Sequence, residues 1–352
     1  MRPFDYIRPA SVAEAVAAAA APNAMYLAGG TNLLDLMKVG VARPQRLVDI
    51  TRLPGLDRIE RLSDGSTRIG ALVRNADLAH ATEFARAYPS VAEALLAGAS
   101  AQIRNVATVG GNLLQRTRCS YFYDVDSACN KRTIGSGCDA AKGENRLHAV
   151  LGWSEHCIAT HPSDFCVALV ALDAIVEVEG NSGRREIPLE HFHKSDGKSP
   201  VQGCCLEPGD LIVAVRLSAA ASEFSRKSRY LKLRERTSYA FALVSVAASL
   251  DLDAAGIRQA RIALGGVAPK PWRARAAEQS LVGSAATETA FRQAAEIALA
   301  DAKPSGANAF KIELAKRMIV RTLASALAGT PERPSALPAS LFSSGPGASH
   351  AL

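Results

Sequence analysis

Five of the seven cysteines in this 352-residue chain fall between positions 119 and 166. Thiolates in that density hold soft metals or iron–sulfur clusters, or do redox chemistry. A disulfide framework belongs instead to short secreted chains. Cys119, Cys129, Cys138 and Cys157 are separated by nine, eight and eighteen residues. That spacing is neither a CxxC pair nor a compact ferredoxin run, so it does not choose the ligand. Three readings stand: a [4Fe–4S] cluster, a zinc ion on all four thiolates, or buried free thiols. Gly135 and Gly137 precede Cys138, Lys131 and Arg132 follow Cys129, and Arg116 and Arg118 precede Cys119. Nearby cations offset a cluster's negative charge. An aperiodic loop of about forty residues is unusual inside a compact domain, and a bound cluster would keep it ordered. Cys166, in the apolar run FCVALVALDAIVEV, reads as a buried thiol, and Cys204 and Cys205 as thiols near a strand.

Two Gly-Gly segments flank this chemistry. AMYLAGG (24–30) reads as a buried strand running into glycine, followed by Thr31, Asn32 and a short helix LLDLMKVG. Glycines let the backbone approach a ligand, and a helix starting there aims free N–H groups at the same spot, which favours phosphate. A tight strand–helix turn without ligand is the plain alternative. IRNVATVGGNLL (103–114) repeats the device, with Gly110 and Gly111 after a β-branched segment and Asn112 after them. Two such turns suit one extended ligand, a dinucleotide such as FAD. THPSD (160–164) reads as a helix start, with Asp164 either capping or accepting from a ribose or ribityl chain, and His161 structural. No Ser/His/Asp or paired-carboxylate constellation stands out.

The elements that must position these residues mix helices and strands, and strand, helix, strand over 24–51 suggests a small α/β unit. Ser11-Val-Ala-Glu14 is a capping box opening an Ala-rich helix that ends near Pro22, and RLVDIT (46–51) is a second buried strand. TRIGALVRNADLAHA (67–81) gives a strand and a helix capped near Asn75 or Asp77. PSVAEALLAGAS (89–100) gives a helix with Ser90 and Glu93 as a weaker box. Strands follow at 173–180 and 210–218, the first ending in a turn at Asn181-Ser182-Gly183. Residues 222–227 read as a linker. The basic run Lys227, Arg229, Lys232, Arg234, Arg236 reads as a solvated strand face, though Lys232 can point at an anionic ligand. RIALGGVAPKPWRA gives a strand and a proline-punctuated turn, residues 308–328 have helical spacing, and the Pro/Ser/Gly/Ala-rich tail from Pro331 reads as disordered. Length allows two or three domains. No apolar run reaches the ~20 residues of a membrane span. The start MRPFDYIRPA has no apolar signal core, so no signal peptide is expected. Net charge is +7, but the basic residues are dispersed and carry no nucleic-acid motif.

In this order AGGTNLL, IRNVATVGGNLL, HPSD before an apolar helix, and LGGVAPKPWRA resemble the FAD-binding subunit of the molybdenum hydroxylases, the xanthine dehydrogenase and carbon monoxide dehydrogenase family. The resemblance is collinear over roughly residues 3–330. The insert RCSYFYD…CNKR…GSGC…HC resembles the variant in periplasmic aldehyde oxidoreductases, whose flavin subunit also holds [4Fe–4S]; a related insert occurs in 4-hydroxybenzoyl-CoA reductase. The resemblance implies a two-subdomain FAD-binding fold of the vanillyl-alcohol oxidase (PCMH) type over 1–222. Its subdomains would be about 1–57 and 58–222, with an iron–sulfur loop at 116–158. A smaller α+β domain would span 223–330, and a tail 331–352. It implies that Tyr26, Leu27, Ala28, Gly29, Gly30, Thr31, Asn32, Leu33 and Leu34 wrap the pyrophosphate. Thr108, Gly111 and Asn112 would line the flavin side, Asp164 bind the ribityl or adenosine part, and Lys232 approach from the second domain. Cys119, Cys129, Cys138 and Cys157 become cluster ligands; Cys166, Cys204 and Cys205 match no ligand position.

No molybdopterin motif is present. The resemblance therefore implies a heterotrimer: a large molybdenum subunit oxidising an aldehyde, a small subunit with two [2Fe–2S] clusters, and this chain passing electrons through FAD to an acceptor. The rivals are a metal-stapled interaction module without flavin and a stand-alone flavin oxidase. The compartment implied is the periplasm, reached with a signal-bearing partner; the alternative is the cytoplasm.

Overall fold

A computed structural model describes residues 1–195, 203–332 and 339. Three sheets organise the chain. The first is parallel, in the order β1-β3-β2, from β1 (Asp5–Ile7), β2 (Ala24–Leu27) and β3 (Arg46–Asp49). The helix Val12–Ala19 links β1 to β2, and the helix Leu33–Lys38 links β2 to β3. Ser11 Oγ accepts from Glu14 N–H, while the Glu14 carboxylate reaches back to Ala10 N–H, one residue beyond the expected box.

The second sheet is antiparallel, ordered β4-β5-β8-β6-β7. It comprises β4 (Ile59–Arg61), β5 (Thr67–Gly70), β6 (Ile175–Gly180), β7 (Gly183–Pro188) and β8 (Leu211–Leu217). The third is a meander, β9 (Ser228–Leu233), β10 (Val244–Asp253), β11 (Gly256–Gly265) and β12 (Trp272–Arg273), packed against the long helix Phe310–Ala328. The helix Asp164–Ala171 is buried at all eight positions. Its sequence is apolar all round, which fits an element with no solvent face. It carries Phe165 to Ala171 into the same core as Val176, Val215, Ala247 and Ala263, joining the second and third sheets.

Several expectations are corrected. Ser90 and Glu93 do not cap the helix Pro89–Ala97, whose N-cap is Tyr88. Both are buried and bond to β9 instead. Asn75 is the first residue of its helix, behind an Arg74 N-cap that makes no side-chain cap bond. Gly110 and Gly111, after the β-branched segment, form the first turn of the helix Val109–Leu113. Residues 222–227 belong to a 3-10 stretch, Ala219–Lys227. The basic run is not a solvated face, since Arg229 and Lys232 are only 2% and 4% exposed. The tail expectation falls almost wholly on residues outside the described set; Ala339 is buried and its carbonyl accepts from Lys232 N–H.

Candidate functional site

The two Gly-Gly segments meet in space. A side chain at Gly29 would put its Cβ 2.2 Å from the Val106 carbonyl oxygen, so the first corner lies directly on the backbone just before Thr108. Gly30 has φ +69°, a left-handed conformation that glycine adopts without strain. Among the described residues, the amide N–H groups of Gly29, Gly30, Thr31 and Asn32 have no protein acceptor. Buried amides are normally satisfied, so a half-exposed row of free donors at a glycine corner suits an anionic oxygen ligand. A pyrophosphate fits this cradle. Leu33 and Leu34 begin the helix behind it, and Leu27 and Ala28 form its strand side. The Tyr26 side chain points elsewhere, its hydroxyl donating to Gly209 C=O at 2.7 Å. That bond holds β2 in place.

Thr108 caps its helix by accepting from Gly111 N–H at 3.3 Å. Asn112 Oδ1 accepts from Ser163 Oγ at 2.7 Å and from Gln115 Nε2 at 2.5 Å. The corner is thereby tied to the start of the helix Asp164–Ala171. Asp164 accepts from Tyr230 Oη at 2.5 Å and from Lys232 Nζ at 2.7 Å, and Lys232 also donates to Ala97 C=O. Asp164 and Lys232, separated by 68 residues, thus form a buried ion pair between the helix Asp164–Ala171 and β9. Burial beside the Asp164 carboxylate pushes the Tyr230 hydroxyl well above its ordinary value, so it stays a donor. A cleft opens beside this pair between Arg118, His161, Asp164, Phe241, Ser245 and Gly266.

The four predicted cysteines converge. Cys119, Cys129, Cys138 and Cys157 line one small cavity, together with Phe122 and Lys131. Isolated bridges Cys129–Cys138 and Ser154–Cys157 fold the loop so that distant thiols face each other. His148 Nε2 lies 3.2 Å from Cys119 Sγ. Burial pushes the Cys119 thiol up to about 11 and raises Cys157, with Lys131 pulling Cys157 the other way. Burial lowers Lys131, against the thiols of Cys157, Cys129 and Cys119, so this cation faces the cavity. Without a metal Cys119 and Cys157 are therefore protonated; a bound cation would make thiolate ligands of them.

The thiol loop is stitched to the first glycine corner. Asn32 Oδ1 accepts from Arg116 N–H at 2.9 Å, and Asn32 Nδ2 donates to Tyr123 Oη at 3.4 Å. Arg118 donates to Tyr123 Oη at 2.5 Å and lies over the Phe241 ring.

The FAD binding domain in molybdopterin dehydrogenase matches residues 2–219, and the CO dehydrogenase flavoprotein C-terminal domain matches residues 229–326. The chain belongs to the FAD-binding subunits of the molybdenum hydroxylases. It is 50% identical to the aldehyde oxidoreductase FAD-binding subunit PaoB of Escherichia coli (strain K12), over 93% of this chain and 99% of that one. It is 30% identical to the carbon monoxide dehydrogenase medium chain of Hydrogenophaga pseudoflava, over 92% and 97%. A solved carbon monoxide dehydrogenase structure from the same organism superimposes with TM-score 0.72 at 29% identity, covering 93% of this chain and 98% of that one. As an FAD-binding subunit of this family, the chain is part of an oxidoreductase. The α+β fold, with its flavin domain followed by a C-terminal domain, agrees with the sequence reading.

Sequence reasoning missed several participants. Glu93 bonds Arg229 Nε at 2.9 Å and Tyr230 N–H at 2.7 Å. Ser90 bonds Ser228 Oγ at 2.9 Å. Together they fasten the helix Pro89–Ala97 to β9. Their signal in the sequence was a weak capping pattern, which pointed to their own helix rather than to β9. Tyr230 and Ser163 gave none, because their partners lie 66 and 51 residues away.

Proposed function

We propose that this chain is the FAD- and [4Fe–4S]-carrying electron-transfer subunit of a heterotrimeric molybdenum aldehyde oxidoreductase. Its partners are a large molybdenum-cofactor subunit and a small subunit with [2Fe–2S] clusters, and it hands electrons to an external acceptor. The observation that carries this reading is the convergence of the four thiols on one cavity, in a loop bonded to the glycine corner. The donor set fits an iron–sulfur cluster better than zinc. A tetrahedral zinc with Zn–S near 2.3 Å needs thiolates roughly 3.8 Å apart. Among the described residues, the triad with ligand atoms all within 4.8 Å is His161, Cys166 and His193, and no three of the four thiols. The wider spacing leaves room for several irons.

Flavin supplies exchange between one- and two-electron carriers. The chain's residues do the positioning. The free N–H groups from Gly29 to Asn32 hold phosphate oxygens, with Thr31 and Asn32 beside them. Thr108, Gly111 and Asn112 form the neighbouring wall. Asp164, clamped by Tyr230 and Lys232, fixes the helix start against the meander, and Phe241 and Arg118 line the cleft beside it. The thiols of Cys119, Cys129, Cys138 and Cys157 hold the cluster, with Lys131 offsetting its charge. We assign residues 1–222 to flavin binding and 223–330 to the C-terminal domain, and place the complex in the periplasm by export with a signal-bearing partner.

Metal and flavin analysis of the co-purified complex tests this. About four irons of cluster origin and one FAD are expected on this chain, beyond the partners' clusters. Colourless protein with one zinc would favour a metal-stapled interaction module. Yellow protein oxidising an aldehyde without partners would favour a stand-alone oxidase. A native complex confined to the cytoplasm would refute the export.

A further inference from the structure

We propose that His161, Cys166 and His193 form a separate metal site, for a zinc(II) ion. One ring nitrogen from each imidazole and the Cys166 sulfur all lie within 4.8 Å of one another. The imidazoles meet edge to face with centroids 4.3 Å apart. His161 comes from the segment before the helix Asp164–Ala171, Cys166 from its first turn, and His193 from the end of the short helix Leu189–Phe192 that follows β7. Cys166 does not line the four-thiol cavity, so this is a different place in the fold.

Among the described residues, two buried nitrogens here lack any hydrogen-bond partner, His161 Nε2 and His193 Nδ1. Such orphans inside a protein call for an explanation, and an ion is one. His193 is only 5% exposed, and its Nε2 lies 2.9 Å from the Leu113 carbonyl oxygen. A carbonyl only accepts, so the ring proton sits on Nε2 and Nδ1 presents a lone pair. A ligating histidine characteristically donates its other N–H to a backbone carbonyl in this way. Burial drives the His193 imidazolium down to about 4 and holds His161 well below its ordinary value, so both rings are neutral at working pH. Two neutral imidazoles and one thiolate are a borderline-soft donor set that suits tetrahedral zinc.

His161 also lines the cleft beside Asp164, which gives an entry path. Binding balances as follows. The Cys166 thiol gives up its proton to solvent and becomes the sulfur ligand. The His161 proton moves from Nε2 to Nδ1, at the expense of the long 3.3 Å bond from Ser163 N–H. One proton leaves for each zinc bound.

The test uses the full-length chain purified with its cofactors, with zinc chloride as the probe. Wild-type protein should bind about one zinc beyond its iron, releasing about one proton. Cobalt(II) in its place should give a sulfur-to-cobalt charge-transfer band. Cys166→Ala should cut zinc uptake at least about tenfold and remove that band, with flavin and iron content unchanged; His193→Gln should do the same. Cys138→Ser should lose iron but keep this zinc. Zinc uptake equal in Cys166→Ala and wild type would overturn the assignment. So would loss of the zinc in Cys138→Ser, or failure of the wild type to bind.

Discussion

The clasp between the flavin domain and the meander makes a quantitative prediction. Arg229 is 2% exposed and bonds Glu93 at 2.9 Å, while Glu93 also accepts from Tyr230 N–H at 2.7 Å. Burial lifts the Glu93 carboxyl above its ordinary value, with Arg229 and the Tyr230 amide pulling it back. Replacing Arg229 by Leu removes the charge that compensates Glu93 and leaves a carboxylate in an apolar junction. Breaking one side of a buried pair costs about 3–5 kcal/mol. For a chain of this size that corresponds to a fall in melting temperature of about 4–7 °C. The sign with pH follows from the raised folded value. Glu93 must then protonate to stay buried, so its contribution is intact below the unfolded carboxyl value and is lost as pH rises through the folded one. Scanning calorimetry or thermal fluorescence of the flavin-loaded subunit, wild type against Arg229→Leu, should therefore show a larger deficit at pH 8 than at pH 5. The double variant Glu93→Gln/Arg229→Met keeps an acceptor for Tyr230 N–H and removes both charges, so it should recover most of the loss. A single variant within about 0.5 kcal/mol of wild type, or a deficit that does not change with pH, would refute the clasp.

Gly30→Val places a β-branched residue at φ +69°, with its Cβ 2.9 Å from the Leu34 side chain. Released flavin after denaturation should fall to near zero in this variant; normal FAD content would remove the corner from the cofactor site. Cys138→Ser should strip iron and loosen the loop to limited proteolysis while leaving part of the FAD; unchanged iron would count against the four-thiol ligand set. Asp49 is buried, which alone would raise it, but bonds from Thr51, Tyr6 and Arg8 hold it near 2, below its ordinary 3.8. The stability it contributes is complete above the unfolded value and lost as pH falls towards 2. Asp49→Asn should flatten that acid limb, read as melting temperature against pH between about 4 and 2.5; an unaltered limb would mean another carboxylate sets it.

The strands β2, β3, β6 and β8, the helix at 12–19 and the long helix at 310–328 were all legible in the sequence, because each has a local apolar period or cap. So were the glycine corner and the identities of the four cysteines. That the two glycine segments touch was not, since contact between Gly29 and Val106 depends on how the first sheet packs on the second. Ser90 and Glu93 show the limit from the other side: they carry a capping pattern, yet their oxygens go to β9, because an acceptor buried at a domain junction gains more from a fixed cation and amide than from its own helix end. The basic run around Lys232 looked solvated for the same reason: charge predicts exposure until a carboxylate from elsewhere, here Asp164 or Glu93, is brought within reach. Sequence determined which groups can bind phosphate or metal, since that is fixed by the chemistry of each side chain and its neighbours. Tertiary structure alone decided which of them share a cavity, because the pairs that matter are separated by up to 183 residues and meet only when the helices and sheets have buried their apolar faces.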